Sequence, residues 1–362
     1  MEVVCKLDTF RRCNEKVISC VDFLSNSTDT IYHVTFSVHR NKTHISFTSS
    51  NSSFQECVRN HLSEHSLFSS FSSQSNSACS PSPIEDQQFS NENCTYSSGS
   101  HTFIDCSWNN TGRTNTGCAI YFVRTTTDST ASLSVTRCSF FHCHSSGSVG
   151  GGGICVNQIG SAHISESIFF DCSCGSYNSL EGGGIMLSRM YTQPFIQTCT
   201  FISCSSCDDG GGCAIYYSNS SLTYVINSCP FIKCKGVDKS SSQGGGFLVY
   251  SNKHFIACTN CAFYACDAPH QGGGIWIDLP SGTTMKRITF CFFHENQSGS
   301  GRDIYFRDFS SSTQAIIHCF SFESTTGRVF GGQDTWLPQG SIYFLNLSTL
   351  QGTVTIYRSV QH

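Results

Sequence analysis

From Phe103 to Phe306 the apolar residues come in short bursts separated by polar stretches. In residues 151–181, GGGICVNQIGSAHISESIFFDCSCGSYNSLE, ICV reads as a short apolar strand, NQIGSA as a turn, HISES as an alternating strand and SIFFDC as a third strand. SCGSYNSLE is left as a polar loop. Three such strands in 31 residues leave no room for the 3.6-residue apolar period of tetratricopeptide or ankyrin units. The Leu/Asn ladder of leucine-rich repeats is missing as well.

The pattern returns on a steady beat. Three glycines and an apolar pair or triplet open at Gly151, Gly182, Gly210, Gly244 and Gly272, with a degraded copy, GRDIYF, at Gly301. A second phrase, Phe-x-x-Cys, falls at Phe140/Cys143, Phe169/Cys172, Phe201/Cys204, Phe231/Cys234 and Phe263/Cys266, and Phe293/Asn296 closes the series with Asn. Taking Ile154, Ile185, Ile215, Phe247, Ile275 and Ile304 as equivalent, the steps are 31, 30, 32, 28 and 29 residues. Two motifs advancing together define a repeat, and its strand content predicts an all-β parallel β-helix: one three-sided coil per repeat, coils stacked at about 4.8 Å. The glycines then belong at the tight turn before the first strand of a coil. The six Phe residues form an inward aromatic column, and the Cys residues or Asn296 face inward at the corner. The stretch from that corner to the next glycines varies from 6 residues (Cys266 to Gly272) to 10 (Cys172 to Gly182). Variable loops therefore gather along one edge, where binding is expected.

Outside this core the pattern weakens. Residues 1–100 are read as irregular N-terminal coils with Ser/Asn-rich insertions, because Phe10/Cys13, Phe54/Cys57 and Phe103/Cys106 repeat the second phrase without the glycines. Residues 101–322 are the regular repeats, and residues 323–362 a C-terminal coil and end cap over the exposed last rung. MEVVCKLDTFRRCNEKV has no apolar core of signal-peptide type, and a chain opening so close to a repeat phrase looks truncated.

Composition narrows the function classes. Charged residues are only 13%, about half the usual share, as expected where stacked like charges would repel. A net charge of −4 gives no reason to expect nucleic acid, and no apolar run is long enough for direct membrane insertion. Eight Asn-x-Ser/Thr sites (Asn26, Asn41, Asn51, Asn93, Asn109, Asn219, Asn296, Asn346) suit glycosylation of an extracellular or cell-surface protein.

Candidate chemistry centres on the 24 cysteines. Cys143, Cys172, Cys204, Cys234 and Cys266 should stack, as should Cys199, Cys229, Cys261 and Cys291. At strand spacing such neighbours are either buried thiols behaving as small hydrophobes or coil-to-coil disulfides. A zinc site pairing Cys204/Cys207 with Cys258/Cys261 is not expected, since two coils separate the pairs by about 10 Å. His142, Cys143 and His144 read as corner residues and not as a metal site. No cofactor is expected. Carbohydrate-active β-helix enzymes need converging carboxylates, and Asp208 with Asp209 is the one adjacent acidic pair in the regular repeats. Within the regular repeats the Asn-Thr-Asp, Gly-His-Gly and Arg-x-Lys signatures of polygalacturonases are missing, and GGGI is no phosphate loop. Tyr216, Tyr217, Trp276, Tyr305 and Phe306 are divided between core packing and an outward aromatic stripe for sugar or protein.

These motifs resemble the Gly-Gly-x-Ile and Phe-x-x-Asn repeats of the chlamydial polymorphic outer membrane proteins, and more closely a cysteine-rich protist-like version in which Phe-x-x-Cys replaces Phe-x-x-Asn. Phe293/Asn296 keeps the Asn form, and GCAI (117–120) and CAI at Cys213 are near the Gly-Gly-Ala-Ile form. The resemblance spans about Phe103 to Phe306 and implies a right-handed parallel β-helix used in adhesion. Nothing after Phe306 resembles the family's autotransporter barrel. The expectation is a non-catalytic structural or adhesive module binding protein or glycan on one face. The alternatives are a β-helix polysaccharide lyase or hydrolase and an intracellular, reduced solenoid scaffold.

Overall fold

The computed structural model describes residues 83–307, apart from residue 91 and the segments 110–117, 124–129, 146–149, 176–180, 217–223, 239–241, 251–255 and 279–285. It also describes the backbone of strands at 2–4, 11–12, 15–25, 30–39, 42–51, 315–321, 329–331 and 342–346. The chain divides into two units: Ser73–Asn346, and Met1–Ser72 with Leu347–His362.

The larger unit is a parallel β-solenoid. One coil runs from Ser161–Ser165 and Ile168–Phe170, which share one wall, through Ser173–Cys174 in the second wall, to Ile185–Ser188 in the third. Each strand pairs in parallel with its counterpart one coil on: Phe169 with Phe201, Ser173 with Ser205, Ile185 with Cys213. The walls are parallel sheets of 17, 6 and 9 strands, the first counting two pieces per coil. The short second wall lies in what the sequence pattern left as polar loop. Its strands bury at most one side chain each, such as Cys174 and Ser206, so they leave no alternating signature.

A chain can turn three times in 30 residues because each corner carries a residue at positive φ. In the coil above the positive-φ residues are Glu166 (51°), Asp171 (50°), Gly175 (62°) and Gly182 (71°). The non-glycine corners cost about 1–2 kcal/mol each. They are held because their backbone N–H groups donate to the next coil, as Asp171 N to Ile202 O at 2.9 Å and Lys233 N to Tyr264 O at 2.8 Å.

The two sequence motifs meet in the bore. Trp108, Phe140, Phe169, Phe201, Phe231, Phe263 and Phe293 stack with ring centroids 4.6–5.0 Å apart and planes within 10°. That separation is the interstrand distance, so parallel stacking follows from register. The last glycine of each triplet makes room for the Phe of the following coil. A Cβ on Gly184 would fall 2.8 Å from Gly212 O and 2.9 Å from the Phe201 ring.

Three sequence expectations are corrected. Cys213, not Ile215, occupies the rung of Ile185 and Phe247, and Ile215 sits two residues on, beside Leu187 and Val249. Residues 15–51 are an antiparallel meander, Glu15–Ser25, Thr30–His39 and Lys42–Asn51, and not worn coils. Parallel coils begin earlier than residue 101, since Gln88–Ser90 pairs with Ser107–Asn109 and Cys94–Tyr96 with Ile120–Val123. At the other end Val329–Gly331 and Ile342–Asn346 continue two walls. The expected end cap beyond Asn346 lies outside the described residues.

Phe201→Ala should lower unfolding free energy by about 3–5 kcal/mol, and Gly184→Ala by about 1–3 kcal/mol or more through overpacking. Ala265→Gly, at a corner with φ of 49°, should raise it by up to about 1 kcal/mol. Urea unfolding of the three variants checks the order.

Candidate functional site

The predicted ladder residues fall where the repeat places them. Cys143, Cys172, Cys204, Cys234, Cys266 and Asn296 share one buried corner column. Asn296 shows what the position does. Its amide donates to Phe263 O at 3.1 Å and to Asp303 Oδ1 at 3.0 Å, and its carbonyl accepts the Cys266 N–H at 3.0 Å. The thiols copy the first of these bonds: Cys266 Sγ donates to Phe231 O at 3.4 Å and Cys204 Sγ to Phe169 O at 3.4 Å. Sulfur here is a small apolar filler with a weak donor aimed at a strand carbonyl of the coil before.

Cys199, Cys229, Cys261 and Cys291 form the second column, continued by Cys319 at one end and, across Ser167, by Cys138 at the other. Their thiols donate down the stack in the same way, Cys229 Sγ to Ile196 O at 3.6 Å. Of the two alternatives left by spacing, the structure has free, buried thiols at all four positions. Burial and neighbouring sulfurs push the Cys199 and Cys229 thiols well up, so they are poor nucleophiles. The same column brings a third sulfur, Cys258, against Cys261 and Cys291, a contact not visible from spacing.

Asn296 is corrected as a glycosylation site: it is 2% exposed and its amide is bonded within the core. Asn93 and Asn109 are half-buried. Asn26, Asn41 and Asn219, and the side chains of Asn51 and Asn346, lie outside the described residues.

The acids gather more closely than the sequence suggested. Glu181 and Asp209 immediately precede the glycine triplets of adjacent coils, and Gly182 N donates to Asp209 O at 3.0 Å. Asp209 Oδ1 accepts the Gln243 N–H at 2.7 Å. Burial pushes the Glu181 carboxyl up to about 8, against the Tyr216 hydroxyl beside it, and Asp209 and Asp208 add to the rise. Burial also lifts Asp209 to about 8, with Asp208 and then Asp238 contributing. This is a covered acidic corner, tied into the backbone through Asp209.

The open feature lies on a different edge. Asp171, Ser203, Lys233 and Ala265 occupy one corner row, and Ser205, Lys235, Asp267 and Gln297 the row beyond the cysteines. Together they line a polar trough of about 440 Å³. It continues past Ala265 and Gln297 into a second cleft lined by Glu295, Ser298 and Arg302. Asp171 is held by His142 at 2.9 Å. Burial raises the Asp267 carboxyl, and Lys235 opposes the rise. Neither cleft is lined by Glu181, Asp208, Asp209 or Asp238.

The aromatic candidates divide. Phe306 points into the bore, whereas Trp276 and Tyr305 lie on the outer side of the third wall with Ala214 and Leu248, yet are buried there. Tyr216, Tyr250 and Trp276 stack at 5.8 and 5.7 Å. Tyr217 lies outside the described residues. Compared with known proteins, the chain matches no family model, no curated protein and no solved structure.

The acidic corner sets a pH dependence. Both carboxyls bind their proton more tightly folded than unfolded, so their contribution is full below about pH 4 and is lost as pH rises towards 8. Unfolding free energy should fall by on the order of 1 kcal/mol per pH unit between pH 5 and 8. Glu181→Gln and Asp209→Asn should flatten the decline. Urea midpoints across that range test this, and a midpoint rising with pH would contradict it.

Proposed function

We propose that this chain is a non-catalytic structural or adhesive β-solenoid, a cell-surface or secreted module that binds an extended polymer along its corner trough. The observation that carries the reading is the trough itself. It runs along the stacking axis, from Asp171 to Gln297, with two residues from each of the three middle coils and one from the coil at either end. Four coil steps at about 4.8 Å give roughly 19 Å, room for several sugar units or a short peptide strand. Hydroxyls, an amide and both signs of charge line it, as suits a hydrated, linear ligand. The lining is set by corner and wall positions whose backbone the core fixes, so the groups are pre-arranged at little ordering cost.

The Asn form at Phe293/Asn296, with its amide bridging two coils, supports kinship with polymorphic outer membrane protein-type repeats. Adhesion is the function that kinship would bring.

The acidic corner favours a second reading, a polysaccharide lyase or hydrolase using Glu181 and Asp209. Against it, Asp209 is occupied with the Gln243 N–H, and neither carboxyl lines the trough or the cleft that continues it. A sugar placed in the trough would not meet these carboxyls.

Glycan and peptide arrays probed with the whole chain should return ligands whose dissociation constant rises at least tenfold in Lys233→Ala/Lys235→Ala, with the thermal midpoint unchanged. Ligands insensitive to that change would remove the trough from the account. Polysaccharide cleavage abolished by Glu181→Gln would establish the enzyme instead.

A further inference from the structure

We infer that Cys258, Cys261 and Cys291 form a binding site for a soft, thiophilic metal ion, copper(I), inside the bore of the solenoid. The three Sγ atoms lie within 4.8 Å of one another, and Cys258 Sγ is 3.7 Å from Cys291 Sγ. Three sulfurs around one ion in a trigonal plane, with bonds of about 2.3 Å, stand about 4 Å apart. The observed spacing needs sub-ångström adjustment to reach that figure.

Position 258 is where the repeat breaks its own rule. Cys258 pairs with Ile226 in the coil before and Ile288 in the coil after, and the same inward row carries Ile164 and Ile196 further up. Replacing a buried isoleucine by cysteine gives up apolar volume in a packed core. What the coil of Cys258 obtains is a third sulfur beside two members of the thiol column. In neighbouring coils the same place offers a hydrocarbon side chain, so their column cysteines have no third sulfur from this row.

Burial decides the kind of ion. Cys258, Cys261 and Cys291 are 0, 2 and 0% exposed, so no solvent water can complete a tetrahedron. Among the described residues no fourth ligand joins the group. Zinc prefers four ligands, whereas copper(I) is satisfied by soft sulfur donors at lower coordination number. Each thiolate formed on binding releases its proton to solvent, so uptake strengthens as pH rises. No redox step is involved, since the ion enters and stays as copper(I).

The whole chain, reduced and handled without oxygen, is titrated with copper(I) as its acetonitrile complex against a bathocuproine competitor, both folded and during refolding from urea. The expected result is one equivalent retained, with sulfur-to-copper charge-transfer absorption and three sulfurs at about 2.3 Å by X-ray absorption. Cys258→Ile restores the residue of the adjacent coils and should fold while losing that equivalent. Cys258→Ala serves if it does not, and Cys234→Ala, in the other column, should keep the equivalent. Retention by both Cys258 variants, a two-sulfur copper environment, no retained equivalent in the unaltered chain, or preferential uptake of four-coordinate zinc would each overturn the assignment.

Discussion

The regular coils of this solenoid depend on one fit: the ring of each Phe from Phe169 to Phe293 rests against a glycine of the coil before it. Gly184 and Phe201 illustrate it, because any Cβ at 184 would strike both the ring and the neighbouring carbonyl of Gly212. With the glycine in place, two coils approach to strand spacing and the rings stack at 4.6–5.0 Å. Strand spacing in turn brings the corner N–H groups within reach of the next coil's carbonyls. Those bonds hold fourteen non-glycine residues at positive φ, from Asp86 to Ala265, a conformation that few would favour alone. Remove the fit and the ladder, the corners and the wall register lose their common cause.

The same spacing explains the sulfur. A corner side chain must be small, tolerate complete burial and offer a donor to the carbonyl of the coil before. Asn296 meets the last demand best, with three bonds to its amide group. Cysteine meets the first two better and the last weakly, at sulfur–oxygen distances of 3.4–3.9 Å. A column of thiols is therefore a legitimate structural solution that needs no oxidation. The low charge content has a related origin, though the corners show how charge is admitted. Arg137 stacks on Asp105 at 2.7 Å and His142 on Asp171 at 2.9 Å, so unlike groups follow one another where they lie near the surface.

Much of this was legible in the chain. Phe-x-x-Cys and the glycine triplets name the residues of the bore, because repetition forces equivalent positions into one column. What repetition does not encode was read less well. Residue type aligns Ile215 with Ile185, whereas the true rung is counted from the glycines and holds Cys213. The short second wall buries at most one side chain per strand and so looks like loop. Residues 15–51 alternate as any strand does, and alternation says nothing about whether a neighbour runs parallel or antiparallel. The acidic corner escaped because Glu181 and Asp209 are 28 residues apart in the chain and one coil apart in space.

Function has to be sought where the repeat is broken, for a physical reason. A residue that every coil shares is explained by stacking alone, and stacking leaves no freedom for a ligand to select. Lys233 and Lys235 stand in rows that elsewhere carry aspartate, serine, alanine or glutamine, and they change the sign of the charge at the middle of the trough. Cys258 stands in a row of isoleucines. Both departures occupy positions whose backbone geometry is already dictated by the coils on either side, so the fold gains nothing from them that the common residue would not supply. On that ground the outer trough and the inner sulfur cluster, and not the conspicuous columns of phenylalanine and cysteine, are the parts of this molecule that distinguish it from a bare scaffold.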